Sequence, residues 1–226
     1  MRTAVIACPV QEELTRRGDL QIPDIERRAF NALVPADSTH STKLGTLGPE
    51  GTSSEYIAQL MSRALGERGG FRIMLEDTYE QCVESLTADR VDLVLVAHAY
   101  PQINAFYMNP DLEPALVFRG STPEYGLATR SDFAFHEELL YTDTVVSHPA
   151  PIPLLRHHFD RPVNLVTANS TSQAAGHVAD GRYSIAITNE QAVKQHNLKF
   201  VYKFSRIPMT WTVFSRRKDR NDHAGA

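Results

Sequence analysis

Two short stretches of the sequence place hydroxyls and backbone amides where a small anion could be held. In "GTLGPEGTSSEYIAQL" (45–60) a glycine-rich loop runs into Thr52 and Glu55, which have the spacing of a capping box ahead of Tyr56, Ile57, Leu60 and Met61. "NSTSQAAGHV" (169–178) repeats the device, with Ser170 and Gln173 at the same spacing before Ala174, Ala175 and Val178. A third helix start is "SHPAPIPLL", from Ser147, with prolines in the first turn. The unpaired N–H groups and partial positive charge of such ends favour an anion, and several of them converging on one cleft suit a small, multiply charged acid. Capping boxes occur on most well-built helices and need no ligand, so taken singly each start reads first as structural. His98 ends the apolar run "VDLVLVAH", and ligands of open α/β sheets sit beyond the carboxyl ends of strands. A lone histidine there also fits a hydrogen-bonded framework role.

These residues need a frame, and the apolar periodicity supplies one. From Lys43 the chain alternates "KLGTL" as strand, 53–66 as helix, "RIML" as strand, 78–88 as helix and "VDLVLV" as a buried strand. A second series follows, with "VNLVTA" as strand, 171–180 as helix, "YSIAIT" as strand and 189–196 as helix. The order predicts an α/β fold. Setting "ADRVDLVLV" (88–96) beside "ADGRYSIAI" (179–187) aligns the two series after one inserted glycine, which predicts two lobes of like build facing across a cleft. Residues 1–42 read as an N-terminal arm, with a short amphipathic helix in "IPDIERRAFNALV" (Ile25, Phe30, Leu33, Val34). The tail is 219–226. The run Tyr100, Phe106 and Tyr107 reads as packing, Cys82 between Tyr79, Val83 and Leu86 as core, and adjacent His157 and His158 as a poor metal site.

Composition narrows the function classes. A chain of 226 residues, 42% hydrophobic and 22% charged, can bury a real core. A net charge of -4 with scattered Lys and Arg leaves no basic stripe for a phosphate backbone, so nucleic acid is not an expected partner. Cys8 and Cys82 have neither metal-ligand spacing nor the density of a disulfide scaffold, and both thiols are expected to stay reduced. "QEELTRRGDL" follows the opening apolar run where a cleavage site would be, and no segment is long enough to cross a membrane. A cytoplasmic location without membrane contact is the expectation.

Three motifs in order resemble the prephenate dehydratases: "GTLGPEGTSSEYIA", "VVSHPAPIPLL" and "NSTSQAA". The resemblance covers 43 to about 217 and implies the two-lobed, periplasmic-binding-protein-like fold, with lobe 1 at about 43–118 and 205–218 and lobe 2 at about 119–204. Two segments depart from that family: "VAHAYPQINAFYMNPDL" stands where it has Pro-Ile-Glu-Asn-Ser, and "IPMTWTVFSRR" where it has Thr-Arg-Phe. The family's regulatory domain has no counterpart, so its phenylalanine feedback is not expected. The departures instead resemble the prephenate decarboxylases of the bacilysin pathway and their relatives, through "HAYPQINAFYMNPDL", "FRGSTPEYGLATR", "VSHPAPIPLL" and "RIPMTWTVF", with Ala97 where proline is expected.

That resemblance implies decarboxylation of prephenate without aromatisation, in the making of a non-proteinogenic amino acid or antibiotic, by a homodimer needing neither metal nor organic cofactor. Loss of the ring carboxylate must occur while the 4-hydroxyl is denied an acid and a ring carbon receives a proton. The starts at Gly51, Thr52 and Ser53 and at Ser170, Thr171 and Ser172 would hold the two carboxylates, with Arg119 or Arg130 as a clamp. His98, Tyr100 and His148 are the candidate proton donors, His98 favoured, and Thr210 matches the dehydratase threonine. Prephenate dehydratase activity and a non-catalytic small-acid binding module are the alternatives. The lobes are expected to close over the substrate.

Overall fold

The computed structural model describes residues 20–21, 27–34, 41–65 and 70–217. In chain order these form β1 (Leu20–Gln21), α1 (Arg27–Ala32), β2 (Lys43–Leu47), α2 (Ser53–Leu65), β3 (Arg72–Glu76), α3 (Tyr79–Thr87), β4 (Leu93–Ala97) and α4 (Asn104–Tyr107). There follow β5 (Leu112–Arg130), α5 (Leu139–Thr142), β6 (Thr144–Ser147), α6 (Ile152–His158), β7 (Asn164–Thr167), α7 (Thr171–Ala179), β8 (Ile185–Asn189), α8 (Glu190–Gln195) and β9 (Leu198–Arg216).

The strands make one mixed sheet in the order β3-β2-β4-β9-β5-β8-β6-β7, with β1 added beside β5. In lobe 1, β2 lies between parallel neighbours β3 and β4; in lobe 2, β6 lies between parallel neighbours β7 and β8. The rhyme between the two sequence series is thus repeated in the strand order. Between the lobes run β5 and β9, each of 19 residues and antiparallel, paired from Leu112↔Arg216 to Arg130↔Leu198. Their register slips between Ser121 and Gly126, where the ribbon passes from one lobe to the other.

Each element follows from its residues. The continuous apolar run of β4 is buried from Leu93 to Val96, as a central strand covered on both faces requires. On α2, Ile57, Leu60 and Met61 face the sheet, while Glu55 and Gln59 pair along the outer side, Nε2 to Oε1 at 2.9 Å. One core layer of lobe 1 joins Ile57, Met61, Phe118 and Trp211 with Phe30, Leu33 and Val34, so this part of the N-terminal arm is continuous with lobe 1. β1 adds to it by pairing with Arg119 and Gly120. Ile25, Cys8 and the 219–226 tail lie outside the described residues. In lobe 2 the small residues Ala174 and Ala175 let α7 lie close on the sheet.

Candidate active site

The two capped helix starts, one from each lobe, meet across a cavity of about 110 Å³, the scale of one small molecule rather than a polymer. Thr52, Ser53, Ser54, Ser170 and Thr171 line its polar side. The rest of the lining includes Tyr79, Tyr100 and Tyr125 with Met209, Trp211, Ala97 at the end of β4 and Ala99 after it. His148 enters from the end of β6.

The caps explain why amides face this space. Thr52 Oγ1 accepts from the Glu55 N–H at 3.2 Å, and Glu55 Oε2 accepts from the Gly51 N–H at 2.7 Å. Ser170 and Gln173 do the same in lobe 2, Oγ from the Gln173 N–H at 3.0 Å and Oε1 from the Asn169 N–H at 2.8 Å. Both capping pairs reach one residue further back than the standard box. Below them the N–H groups of Ser53, Ser54 and Thr171 have no intrahelical acceptor and carry the positive end of the helix dipole.

Among the described residues, no Asp, Glu, Lys or Arg lines the cavity. The tyrosines are poor acids: burial pushes Tyr79 up to about 12, and its hydroxyl lies 3.1 Å from Ser54 Oγ and accepts from the Ala97 N–H at 3.2 Å. Tyr125 is raised by burial, and Tyr100 by burial and then by Glu80, whose Oε1 accepts a hydrogen bond from its hydroxyl at 2.5 Å. His148 is the one imidazole among the described residues that line the cavity. Its Nδ1 accepts from the Ala150 N–H at 3.2 Å, so the neutral ring carries its proton on Nε2. Burial lowers its pKa below the ordinary 6.5.

His98 is lowered in the same way by burial. For both rings the unfolded chain binds more protons than the folded one as the pH passes down through 6.5, so acidification weakens the fold. The melting temperature is therefore expected to fall between about pH 7.5 and 5.5. A flat or rising Tm over that range in a calorimetric series would contradict this.

Of the residues singled out from sequence, Thr52, Ser53, Tyr100, His148, Ser170 and Thr171 line the cavity. Six do not, each for a structural reason. The His98 ring turns away to Thr212, Nε2 to Oγ1 at 2.6 Å, and to the Tyr107 hydroxyl at 3.2 Å, so it does not face the cavity as a proton donor. Thr210 lies between Met209 and Trp211 on β9, and strand alternation turns it to the opposite face. Arg119 is exposed opposite Thr210, and Arg130 pairs with Asp132 at 3.2 Å at the far end of β5, so neither lines this cavity. Gly51 and Ser172 belong to a seam between the lobes. Ser172 Oγ donates to the Glu50 carbonyl at 2.6 Å, and Asn189 Nδ2 to the Gly51 carbonyl at 2.9 Å. Gly51 has φ +82°, and a Cβ there would lie 3.1 Å from Ser172 Oγ.

Sequence reasoning missed Tyr79 and Tyr125 as lining residues. Tyr79 carries a core signal, being at helical spacing with Cys82 and Leu86, and nothing local distinguishes its hydroxyl. Tyr125 stood within "TPEYGLATR" in a quoted motif, and the register slip that turns it into the cleft has no local mark.

No protein-family model matches the chain. It is 44% identical over 175 residues to the prephenate decarboxylase of Bacillus subtilis (strain 168), covering 76% of this chain and 86% of that protein. It is 40% identical over 190 residues to the prephenate decarboxylase of Planktothrix agardhii, covering 81% and 92%. In fold it is similar to the prephenate dehydratase of Arthrobacter aurescens, at TM-score 0.60 and 14% identity over 79% of this chain and 61% of that one. The periplasmic VFT2 domain of Bordetella pertussis BvgS superposes at TM-score 0.50 and 17% identity over 88% and 87%.

Proposed function

Because the chain belongs to the prephenate decarboxylase family, we propose that it decarboxylates prephenate without aromatising the ring, giving CO₂ and a 4-hydroxycyclohexadienyl pyruvate. The observation that carries the non-aromatising outcome is the scarcity of acids in the cavity: among the described residues its tyrosines hold their protons and no carboxylic acid lines it, which leaves His148 as the one group able to give a proton. A leaving hydroxyl and the ring carbon each need a proton, and a single acid committed to the ring carbon leaves the hydroxyl without one.

On this reading the N–H groups at Ser53, Ser54 and Thr171 bind the carboxylates, and the ring lies against Trp211, Met209 and the tyrosines. The bond from the ring to its carboxylate breaks, CO₂ leaves, and the electron pair moves through the diene to the far ring carbon. That carbon takes a proton from His148, which solvent restores. The bound dianion raises the His148 pKa that burial lowered, so the ring is charged when the substrate is present. No step requires a metal or organic cofactor, and the hydroxyl stays on the ring.

The wider setting is part of the same reading: a cytoplasmic homodimer whose product feeds a non-proteinogenic amino acid or antibiotic, supported by the resemblance in "HAYPQINAFYMNPDL" and "RIPMTWTVF". Incubation with prephenate tests the chemistry. The expected result is CO₂ with a product that lacks aromatic absorbance. Phenylpyruvate would assign a dehydratase instead, and unchanged prephenate a binding module.

A further inference from the structure

Tyr100 lines the cavity, yet its hydroxyl is bonded to a residue that does not. The chain after β4 is held by a turn in which the Tyr100 N–H donates to the Ala97 carbonyl at 3.0 Å and the Tyr100 carbonyl accepts from the Ile103 N–H at 3.2 Å. The ring packs on Tyr79 with centroids 4.6 Å apart and meets Phe106 edge-on at 6.3 Å. It thus lies beside the first turn of α3, where its hydroxyl donates to Glu80 Oε1 at 2.5 Å. Glu80 is exposed and is not among the residues that line the cavity.

The first two residues of α3 therefore face opposite ways. Tyr79 is 3% exposed, with its hydroxyl between Ser54 Oγ and the Ala97 N–H, while Glu80 is turned to solvent. An acidic side chain in the first turn is favoured as a carboxylate by the helix dipole, and the bond from Tyr100 holds the Glu80 pKa below its ordinary value. A carboxylate only accepts, so the direction of this bond is fixed. Tyr100 has one hydroxyl proton, and a charge-assisted bond of this length commits it to Glu80.

We infer that Glu80 is a positioning residue for the non-aromatising outcome, holding the Tyr100 hydroxyl proton outside the cavity so that this ring lends the substrate hydroxyl no donor. The inference rests on the reading of the cavity as the place where prephenate loses CO₂. Glu80 is also the next cause, after burial, that pushes the Tyr100 hydroxyl up, so its removal leaves a stronger acid as well as an uncommitted one. Aromatisation strongly favours loss of the hydroxyl, and a phenol within reach then suffices. In a chain without Glu80 the bond from the ring to its carboxylate breaks, the electron pair enters the ring, and the bond to the 4-hydroxyl breaks in turn. The leaving oxygen takes the Tyr100 proton and departs as water, giving phenylpyruvate and CO₂, and solvent restores the phenol.

The test reads which product the full chain forms from prephenate, corrected for a reaction without protein, with Tm measured alongside. Glu80→Ala is expected to raise the share of phenylpyruvate at least about 10-fold over the unmutated protein, less than a well-placed acid contributes. Adding Tyr100→Phe removes the proton and should return that share to the unmutated level. Glu80→Gln keeps an acceptor oxygen and should also stay near it. Glu80 is exposed, so Tm should move little, and Glu80→Ser, equally too short to reach Tyr100, replaces the alanine variant if that one is unstable. A merely structural role for Glu80 would lower Tm without changing the product. Turnover by Glu80→Ala to the non-aromatic product alone, phenylpyruvate that persists in the double variant, or loss of all turnover at unchanged Tm would overturn the inference and leave the decarboxylase reading standing. Phenylpyruvate as the main product of the unmutated protein would overturn that reading and the inference with it.

Discussion

His148→Gln lowers kcat on prephenate by about 10²–10⁴-fold, the usual contribution of a positioned acid, with a much smaller change in KM. Glutamine keeps a polar group of similar length and can still donate a hydrogen bond, so the substitution separates donation of a proton from donation of a hydrogen bond. In the unmutated protein kcat/KM should rise as the pH falls toward the lowered pKa of His148, because the free enzyme must be protonated to react. That dependence should vanish in the variant. His98→Ala is expected to reduce kcat less, since that ring points to Thr212 and Tyr107. A His148→Gln enzyme with near-native kcat, or one that keeps the acid-favoured profile, would remove His148 from the mechanism.

Trp211→Arg is expected to lower the melting temperature by roughly 6–20 °C and to yield no phenylpyruvate. The position stands where the dehydratase resemblance has arginine, so the exchange looks like a switch between the two chemistries. Packing argues otherwise. Trp211 is 1% exposed among Ile57, Met61, Phe118 and Val213, and its Nε1 donates to the Gly120 carbonyl at 3.1 Å. Gly120 makes the room for this, since a Cβ there would come within 3.0 Å of Ile57 and 3.3 Å of the indole. An arginine would bring a buried charge with no carboxylate lining the neighbouring cavity, at a cost on the order of 3–5 kcal/mol, a large part of the ~5–15 kcal/mol by which a domain is stable. Trp211→Phe keeps most of the packing and strands the Gly120 carbonyl, for a loss of about 1–3 kcal/mol. An unchanged Tm for Trp211→Arg by scanning calorimetry, or phenylpyruvate formed from prephenate, would refute the account.

What was legible in the sequence is what local physics decides. The starts of α2 and α7 are written in the caps at Thr52 and Ser170, and β4 in its unbroken apolar run, so elements and lobes could be read residue by residue. The direction of a side chain at the end of a strand is decided elsewhere. His98 was recognisable as the residue after β4, while its ring is drawn to Thr212 by the pairing of β4 with β9, far along the chain. The arginines show the same limit. Charge complementarity picked out Arg119 or Arg130, which are eleven residues apart on β5, roughly 35 Å along an extended strand, and which of them, if either, reaches the cleft depends on strand register that the local sequence does not carry. Tyr125 and Tyr79 became visible only once register and helix packing brought their hydroxyls to Ser53 and Ser54.

The two long strands also fix an order of assembly during synthesis. β9 supplies Trp211 and Val213 to one core layer of lobe 1 and Phe214 to the other, and it fills the gap between β4 and β5. It is also the last of the described strands to leave the ribosome. Lobe 1 begins to emerge first but is completed last: until β9 arrives, β4 has an unpaired edge and its core lacks three large side chains, while all of lobe 2 is being made. A nascent chain in that state presents the kind of apolar, open-edged surface that chaperones bind and that aggregates at high concentration. The distant pairing that builds the ribbon is also the slow, high-contact-order step of folding, so the interval of exposure is set by the length of the inserted lobe.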